Sequence, residues 1–387
     1  MAAKKRRKIA VKRLAATILV VAAAALIISE ATGMTQTVAG FLNPAMHFVE
    51  TAYVSHEAGS GPQIHATSNG FFLATRDSIR FHNADGTEIF RHVHNAANPV
   101  LFGRGDYAAI VEHNGRAINV YNTEGRLYTI PTDMPIASFS LSVQGFAVII
   151  MQSGSAHYIE FYNNLGVLFY YGRHVEENIV PMLADISHDG RFMAISYLDI
   201  NDAAMNSFIR FISFDRGGAD GIFAESLHNP DQIIGEMRFM ENGNLIVISD
   251  RRIFAVNSAD ASTIWEFPVN NRISRVAFSD NWFAVAYGSG LLNRNGYAPG
   301  TVIGYNAFGT RLFAYAAPGV ADSLASCGNN LIVGMGGHFT ALSQAGQTLW
   351  QLTLPNNVLS LSMLGNTNTV AAFTPTQTTI MRRVRDN

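Results

Sequence analysis

Asn306-Ala-Phe-Gly309-Thr-Arg-Leu-Phe313 reads as a tight turn followed by a strand. An Asn ahead of such a turn accepts hydrogen bonds from backbone amides further on, and Gly supplies the positive φ the turn needs. The run after it alternates apolar and polar residues, as a half-buried strand does. The same signature recurs at Asn83 (Gly86, Phe90), Asn122 (Gly125, Tyr128), Asn163 (Gly166, Phe169) and Ser343 (Gly346, Trp350). A weaker copy, Ser258-Ala-Asp-Ala261, leads to Trp265. Gly217 falls inside the one double-length gap, which gives a period of about 37–51 residues. Self-similarity at that period, with four short strands per unit, marks a β-propeller. A solenoid of helix pairs would need a 3.6-residue apolar period, which this region lacks.

Charge is distributed unevenly along the chain. Seven of the 27 Lys+Arg lie between Lys4 and Arg13, and all 29 Asp+Glu come later. The remainder therefore holds 20 basic against 29 acidic residues, a balance of −9, which argues against nucleic acid or an anionic membrane surface as partner. Charged residues are only 14% of the chain, which suits many short strands with apolar faces. Cys327 is the single cysteine, so an internal disulfide and a Cys-cluster metal site are excluded. Between Ala325, Ser326 and Gly328 it reads as a small buried residue.

Residues 1–13 form a basic tail. Leu14 to Ser29 is uncharged and mostly apolar, covering about 24 Å as a helix. The stretch from Ala31 to Val38 is also free of charge, so the span extends to about residue 36 with Glu30 near the outer interface. The positive-inside rule then places the tail in the cytoplasm and everything beyond residue 40 outside, in a single-pass cell-membrane protein. A signal peptide cleaved near Ser29-Glu30-Ala31 is the rival reading. Residues 37–60 read as a stalk with a first strand at Phe48–His56, and 61–387 as the propeller.

Seven units follow, at about 61–97, 98–134, 135–177, 178–230, 231–270, 271–318 and 319–355. The tail adds three strands, Val358–Met363, Thr369–Phe373 and Thr379–Val384, and no fourth. A ring must close or leave exposed sheet edges. Pairing the tail with the early strand closes it at eight blades; seven would follow if either segment serves another purpose. The expected class is therefore an all-β propeller preceded by one N-terminal transmembrane helix.

Ser258-Ala-Asp-Ala-Ser-Thr-Ile-Trp265 and Ser343-Gln-Ala-Gly-Gln-Thr-Leu-Trp350 resemble the repeat of the pyrroloquinoline-quinone-like propellers. With Phe or Tyr in place of Trp, the likeness extends over roughly residues 61–355. The resemblance implies that each aromatic docks between neighbouring blades. The anchor-plus-ring layout also resembles a family of membrane-anchored propellers from Gram-positive bacteria. Ser187-His-Asp-Gly-Arg191 is similar to the Ser-Pro-Asp-Gly turn of other propellers. Quinone dehydrogenases of the first family add adjacent cysteines and a metal site, and this chain has one Cys, so no cofactor is expected. Non-enzymatic members serve as scaffolds.

Two inserts between strands B and C stand out, because short loops suffice to hold a propeller together. They are Gly288–Gly300 in unit six and Asp199–Asn206 in unit four. Both leave on one face of the ring, where Asp199, Asn201, Asp202, Asn206, Arg294, Asn295 and Tyr297 would form a polar recognition surface. Asp185-x-Ser187-x-Asp189 resembles a fragment of a calcium loop but lacks the later Glu, and reads as a hairpin turn. His92 and His94 share a strand face without a third ligand, so a solvated face is expected and no metal. The sequence holds no Gly-x-Ser-x-Gly elbow, phosphate loop or His-Glu-x-x-His. The expectation is a non-catalytic extracytoplasmic scaffold that binds envelope proteins or cell-wall polymers. The alternative is a cell-wall glycan or peptidoglycan-fragment binder or hydrolase acting from the insert-bearing face.

Overall fold

The computed structural model describes residues 46–57, 61–94, 96–112, 117–201, 205–214, 222–226, 232–288 and 300–385. The basic tail, the apolar span and the stalk up to residue 45 lie outside these, and among the described residues no helix is long and apolar enough to cross a membrane. Residues 50–381 form one compact unit. The chain ends, 1–49 and 382–387, form a second, of which 46–49 and 382–385 are described, as strand residues.

Thirty-two strands among the described residues assemble into eight four-stranded antiparallel sheets, the blades of a β-propeller. Blades 1 to 7 span residues 63–93, 100–131, 136–174, 179–225, 234–268, 272–317 and 323–353, each with its strands A to D in chain order. Blade 8 takes A, B and C from Ser360–Met363, Thr369–Phe373 and Gln377–Arg385, and its outermost strand from Met46–Ser55. The ring thus closes with eight blades, by the pairing the tail's missing fourth strand demanded. Within the larger unit the seam is held by the Thr51 hydroxyl donating to the Ile380 carbonyl at 3.2 Å and the His56 amide to that of Thr376 at 3.0 Å.

Strands A of successive blades touch around the axis, and strands B lie between two neighbouring blades. This explains why strands B read as unbroken apolar runs. Leu245–Ser249 and Thr369–Phe373 are buried at every position, because both faces of the sheet are covered at that radius. The core is correspondingly divided into inter-blade layers, such as Ala109, Ile118 and Ile130 of blade 2 against Phe139, Ile149 and Met151 of blade 3.

At several seams the outer layer is an aromatic of strand D set on the next blade's C–D turn, whereas between blades 8 and 1 Ala52 stands there against Gly86. Trp265 of blade 5 lies on the Asn306–Gly309 turn of blade 6, and its indole Nε1 donates to the Ala307 carbonyl at 3.3 Å. Phe313 of blade 6 lies in the same way on Gly346 of blade 7, and Tyr128 of blade 2 on Gly166 of blade 3. At the head of strand B a second set repeats the device one layer inward, with Tyr107 on Gly145 and Phe146 on Gly190. Trp350 reaches blade 8 differently, donating to the Thr367 carbonyl at 2.9 Å. Burying such a ring removes about 200 Å² of apolar surface, which contributes about 5 kcal/mol before entropy is subtracted.

Phe169 does not occupy its expected core position. A bulge after Phe161 shifts the register of the C–D hairpin in blade 3, so Tyr170 pairs with Phe161 and packs into the seam, while Phe169 is 58% exposed. The docking aromatic sits four residues past the turn Gly in blades 1, 3, 6 and 7, at Phe90, Tyr170, Phe313 and Trp350, and counting three there selects its outward neighbour.

The Asn306 turn yields a test. Gly309 has φ +80°, and a methyl on it would stand 2.7 Å from the Trp265 ring. Gly309→Ala is expected to combine about 1–2 kcal/mol of left-handed strain with about 1–3 kcal/mol of overpacking. Gly243 has φ +83° with nothing within 4 Å of the added carbon, so Gly243→Ala should show only the first cost. Equilibrium denaturation in guanidinium compares the two.

Candidate functional site

Antiparallel strands alternate direction, so A–B and C–D turns leave the ring at one end and B–C and D–A connections at the other. At the A–B end the turns of all eight blades surround an axial mouth of about 1020 Å³. A smaller cavity of about 180 Å³ continues between the A strands of blades 2 to 5.

Polar side chains line the mouth because they stand at A-strand ends or in turns, beyond the hydrophobic seams. His65 of blade 1 lies flat on Gly103 of blade 2, where any β-carbon would fall 2.0 Å from the imidazole. Its Nε2 donates to the Gly105 carbonyl at 2.9 Å. Burial pushes its pKa below the usual value, against the opposing pull of that carbonyl and Asp106. Asp106 accepts from both the amide and the hydroxyl of Ser68, each at 2.8 Å. Arg238 of blade 5 is 3.5 Å from Glu236 and stacks on Phe278 of blade 6 with its cation 5.3 Å from the ring centre. Burial raises the Glu236 pKa, and Arg238 opposes the shift. Glu241 and Asp280 stand exposed on the rim. Four carboxylates thus line the mouth from blades 2, 5 and 6, together with the guanidinium groups of Arg104 and Arg238.

Beneath the rim, Arg104 and Asp185 form a buried ion pair of 2.6 Å, with side chains 7% and 2% exposed. Arg104 also donates to the carbonyls of Leu141 at 3.2 Å and Phe239 at 3.4 Å. Asp185 accepts from the Ser140 hydroxyl at 3.1 Å and the Phe239 amide at 2.7 Å. One pair of charges so joins blades 2, 3, 4 and 5. Burial lowers the Arg104 pKa to about 10 despite Asp185, which leaves it charged at neutral pH.

Both oxygens of Asp185 are engaged in this network and take no part in the hairpin turn that follows. Ser187 and Asp189 instead make the hairpin turn, with the Ser187 hydroxyl donating to Asp189 at 2.6 Å and Gly190 at φ +71°. The expected solvated face at His92 and His94 is corrected. His94 is buried, and His92 packs between Phe90 and Tyr121 at ring distances of 5.2 and 5.7 Å. His56, His94 and His174 occupy the same position, the end of strand D in blades 8, 1 and 3, which no periodicity in the sequence had indicated. Cys327 is half-buried and lines the mouth, and burial raises the thiol's pKa. Among the described residues no three His, Cys, Asp or Glu side chains converge as a metal ion requires.

Of the insert residues, Asp199 and Asn206 are cross-strand partners at the B–C end of blade 4. Asp199 accepts from the amide and the side chain of Asn201, at 2.9 and 2.7 Å, so its charge caps its own loop. Asn206 has a buried Oδ1 without a hydrogen-bond partner among the described residues. Asp202, Arg294, Asn295 and Tyr297 lie outside the described residues. A cavity of about 710 Å³ lies at this end between blades 6 and 7, lined by Ile273, Gly288, Val320, Met335 and His338 among others. The axial mouth opens at the opposite end from the inserts.

Removing one partner of a buried pair strands the other. Asp185→Ala is expected to destabilise the ring by about 3–5 kcal/mol, while Arg104→Met with Asp185→Leu should recover most of that loss. Urea denaturation of the three proteins checks it.

Several solved structures are similar in fold. BamB from Moraxella catarrhalis matches at 12% identity and a TM-score of 0.50, over 87% of this chain and 100% of that one. A eukaryotic initiation factor matches at 12% and 0.50, over 82% of each chain. Hsv2 of Kluyveromyces lactis matches at 11% and 0.49, over 76% and 100%. At such identities the likeness is one of fold. No curated protein matches the sequence. Residues 47–382 match the model described as "Family of unknown function (DUF5711)", and the chain belongs to that family.

Proposed function

We propose that this chain is a non-catalytic interaction scaffold whose propeller stands outside the cell membrane on an N-terminal anchor, with the axial mouth as its docking point. The observation that supports the reading most is the mouth's make-up. It is wide and polar, and its rim carboxylates Glu236, Glu241 and Asp280 come from two rigid neighbouring blades. A cleft with an excess of one sign of charge on its walls concentrates the opposite sign. The chemistry suited to it is a projecting basic segment of an envelope protein that meets the exposed carboxylates of Glu241 and Asp280, while Arg238 stays paired with Glu236 and stacked on Phe278.

A hexa-arginine peptide titrated calorimetrically should bind the full-length protein, more weakly as salt rises. Glu236→Gln, Glu241→Gln and Asp280→Asn together should lower affinity by about 10–100-fold, at up to about 1 kcal/mol for each half-exposed pair. Unchanged affinity would remove the mouth from the reading. The second reading, a cell-wall glycan bound at the B–C end, draws on the cavity beside Gly288. Binding on a glycan array without peptide binding would select it.

Anchoring rests on the charge asymmetry across residues 4–36. Protease added to intact cells should digest the ring, and carbonate washing should leave the protein in the membrane fraction. A ring protected until lysis would overturn the extracytoplasmic placement.

A further inference from the structure

The outer strand of blade 3, Leu168–His174, breaks a pattern its counterparts keep. An outermost strand leaves a row of backbone donors and acceptors facing outward, and proteins blunt such edges with charges, prolines or polar side chains. Blade 1 has Glu88 and Arg91 there, blade 2 Arg126 and Pro131, and blade 5 Glu266 and Pro268. Blade 6 exposes Arg311 with two alanines, and blade 7 exposes Thr348, Gln351 and Thr353. In blade 3 no charge or proline occurs from Leu165 to Gly172, and the strand's one charge, Arg173, is exposed near its far end.

The exposed side chains there are large and apolar. Leu165, Val167, Leu168, Phe169, Tyr171 and Val175 are between 46% and 77% exposed. Together they leave on the order of 600 Å² of apolar surface on one copy. That is at the upper end of the largest patch a soluble monomer ordinarily displays, and such patches are often functional.

We propose that this edge is a homodimer interface, in which the strands Leu168–His174 of two copies pair antiparallel and join two four-stranded blades into one eight-stranded sheet. Self-pairing suits the charge pattern. Centred on Tyr170, the pairing sets position 168 against 172 and 169 against 171. Arg173 then falls opposite Val167, so no two like charges meet. Two such strips bury on the order of 1,200 Å² in all, the lower bound of a stable pair before the backbone hydrogen bonds are added. The pairing uses the outer rim and leaves the axial mouth of each ring open.

Sedimentation velocity of the full-length protein in detergent tests this. The wild type should run at twice the protomer mass at micromolar concentration. Tyr171→Lys and Leu168→Lys change exposed side chains, so both should fold with unchanged thermal melting, yet associate at least about 30-fold more weakly. Thr129→Lys, the same change on the outer strand of blade 2, should remain dimeric. A wild-type monomer at tens of micromolar, or a Tyr171→Lys dimer as tight as wild type, would overturn the proposal.

Discussion

A flat side chain resting on backbone that has no side chain of its own is the contact on which this ring depends. Each blade alone is a four-stranded sheet with two apolar faces, and it is stable only between neighbours. The seam must bring two twisted sheets together at the same angle at each junction, or the circle does not close. Trp265 on Gly309, Phe313 on Gly346 and Tyr128 on Gly166 fix that angle at the outer radius, and Tyr107 on Gly145 and Phe146 on Gly190 fix it nearer the axis. Both halves of the contact are constrained. The turn needs a positive φ, and the approaching ring needs the space a β-carbon would fill. The C–D turn of blade 5 is the variant case: Ala261 holds φ +58° without glycine's freedom and puts a β-carbon where the other turns offer bare backbone.

That same contact made the fold legible. Turn glycines and following aromatics are local in sequence, so Asn306–Phe313 and its relatives exposed the period, the blade borders and the strand needed from the N-terminal side for closure. The error at Phe169 shows the limit of such reading. Three aromatics in a row, Phe169-Tyr170-Tyr171, leave orientation to the bulge at Phe169 itself, and a bulge has no reliable signature in one strand alone. Strands B were legible as strands. Their burial on both faces follows from ring geometry, not from alternation.

The candidate site was far less legible. The mouth is assembled from one or two residues per turn, spread from His65 to Gly365, and no spacing rule connects them. Arg104 and Asp185 are 81 positions apart, and nothing in either neighbourhood advertises the other. Attention to long inserts pointed to the B–C end, because length is visible in a sequence and convergence at an axis is not. There Asp199 turned out to be occupied with its own loop, while the exposed carboxylates of Glu241 and Asp280 stand on short hairpins at the other end.

The seam between Thr51 and Ile380 carries a consequence for how the molecule is made. Its two sides are 329 residues apart, so a ribosome must release everything between them before the circle can shut. Until then the earliest strand has no mate, and every completed blade belongs to an open arc with two raw ends. Assembly order is therefore built into the topology. The middle blades can stack as they emerge, while the final hairpin acts as a latch that converts a growing arc into a cooperative whole.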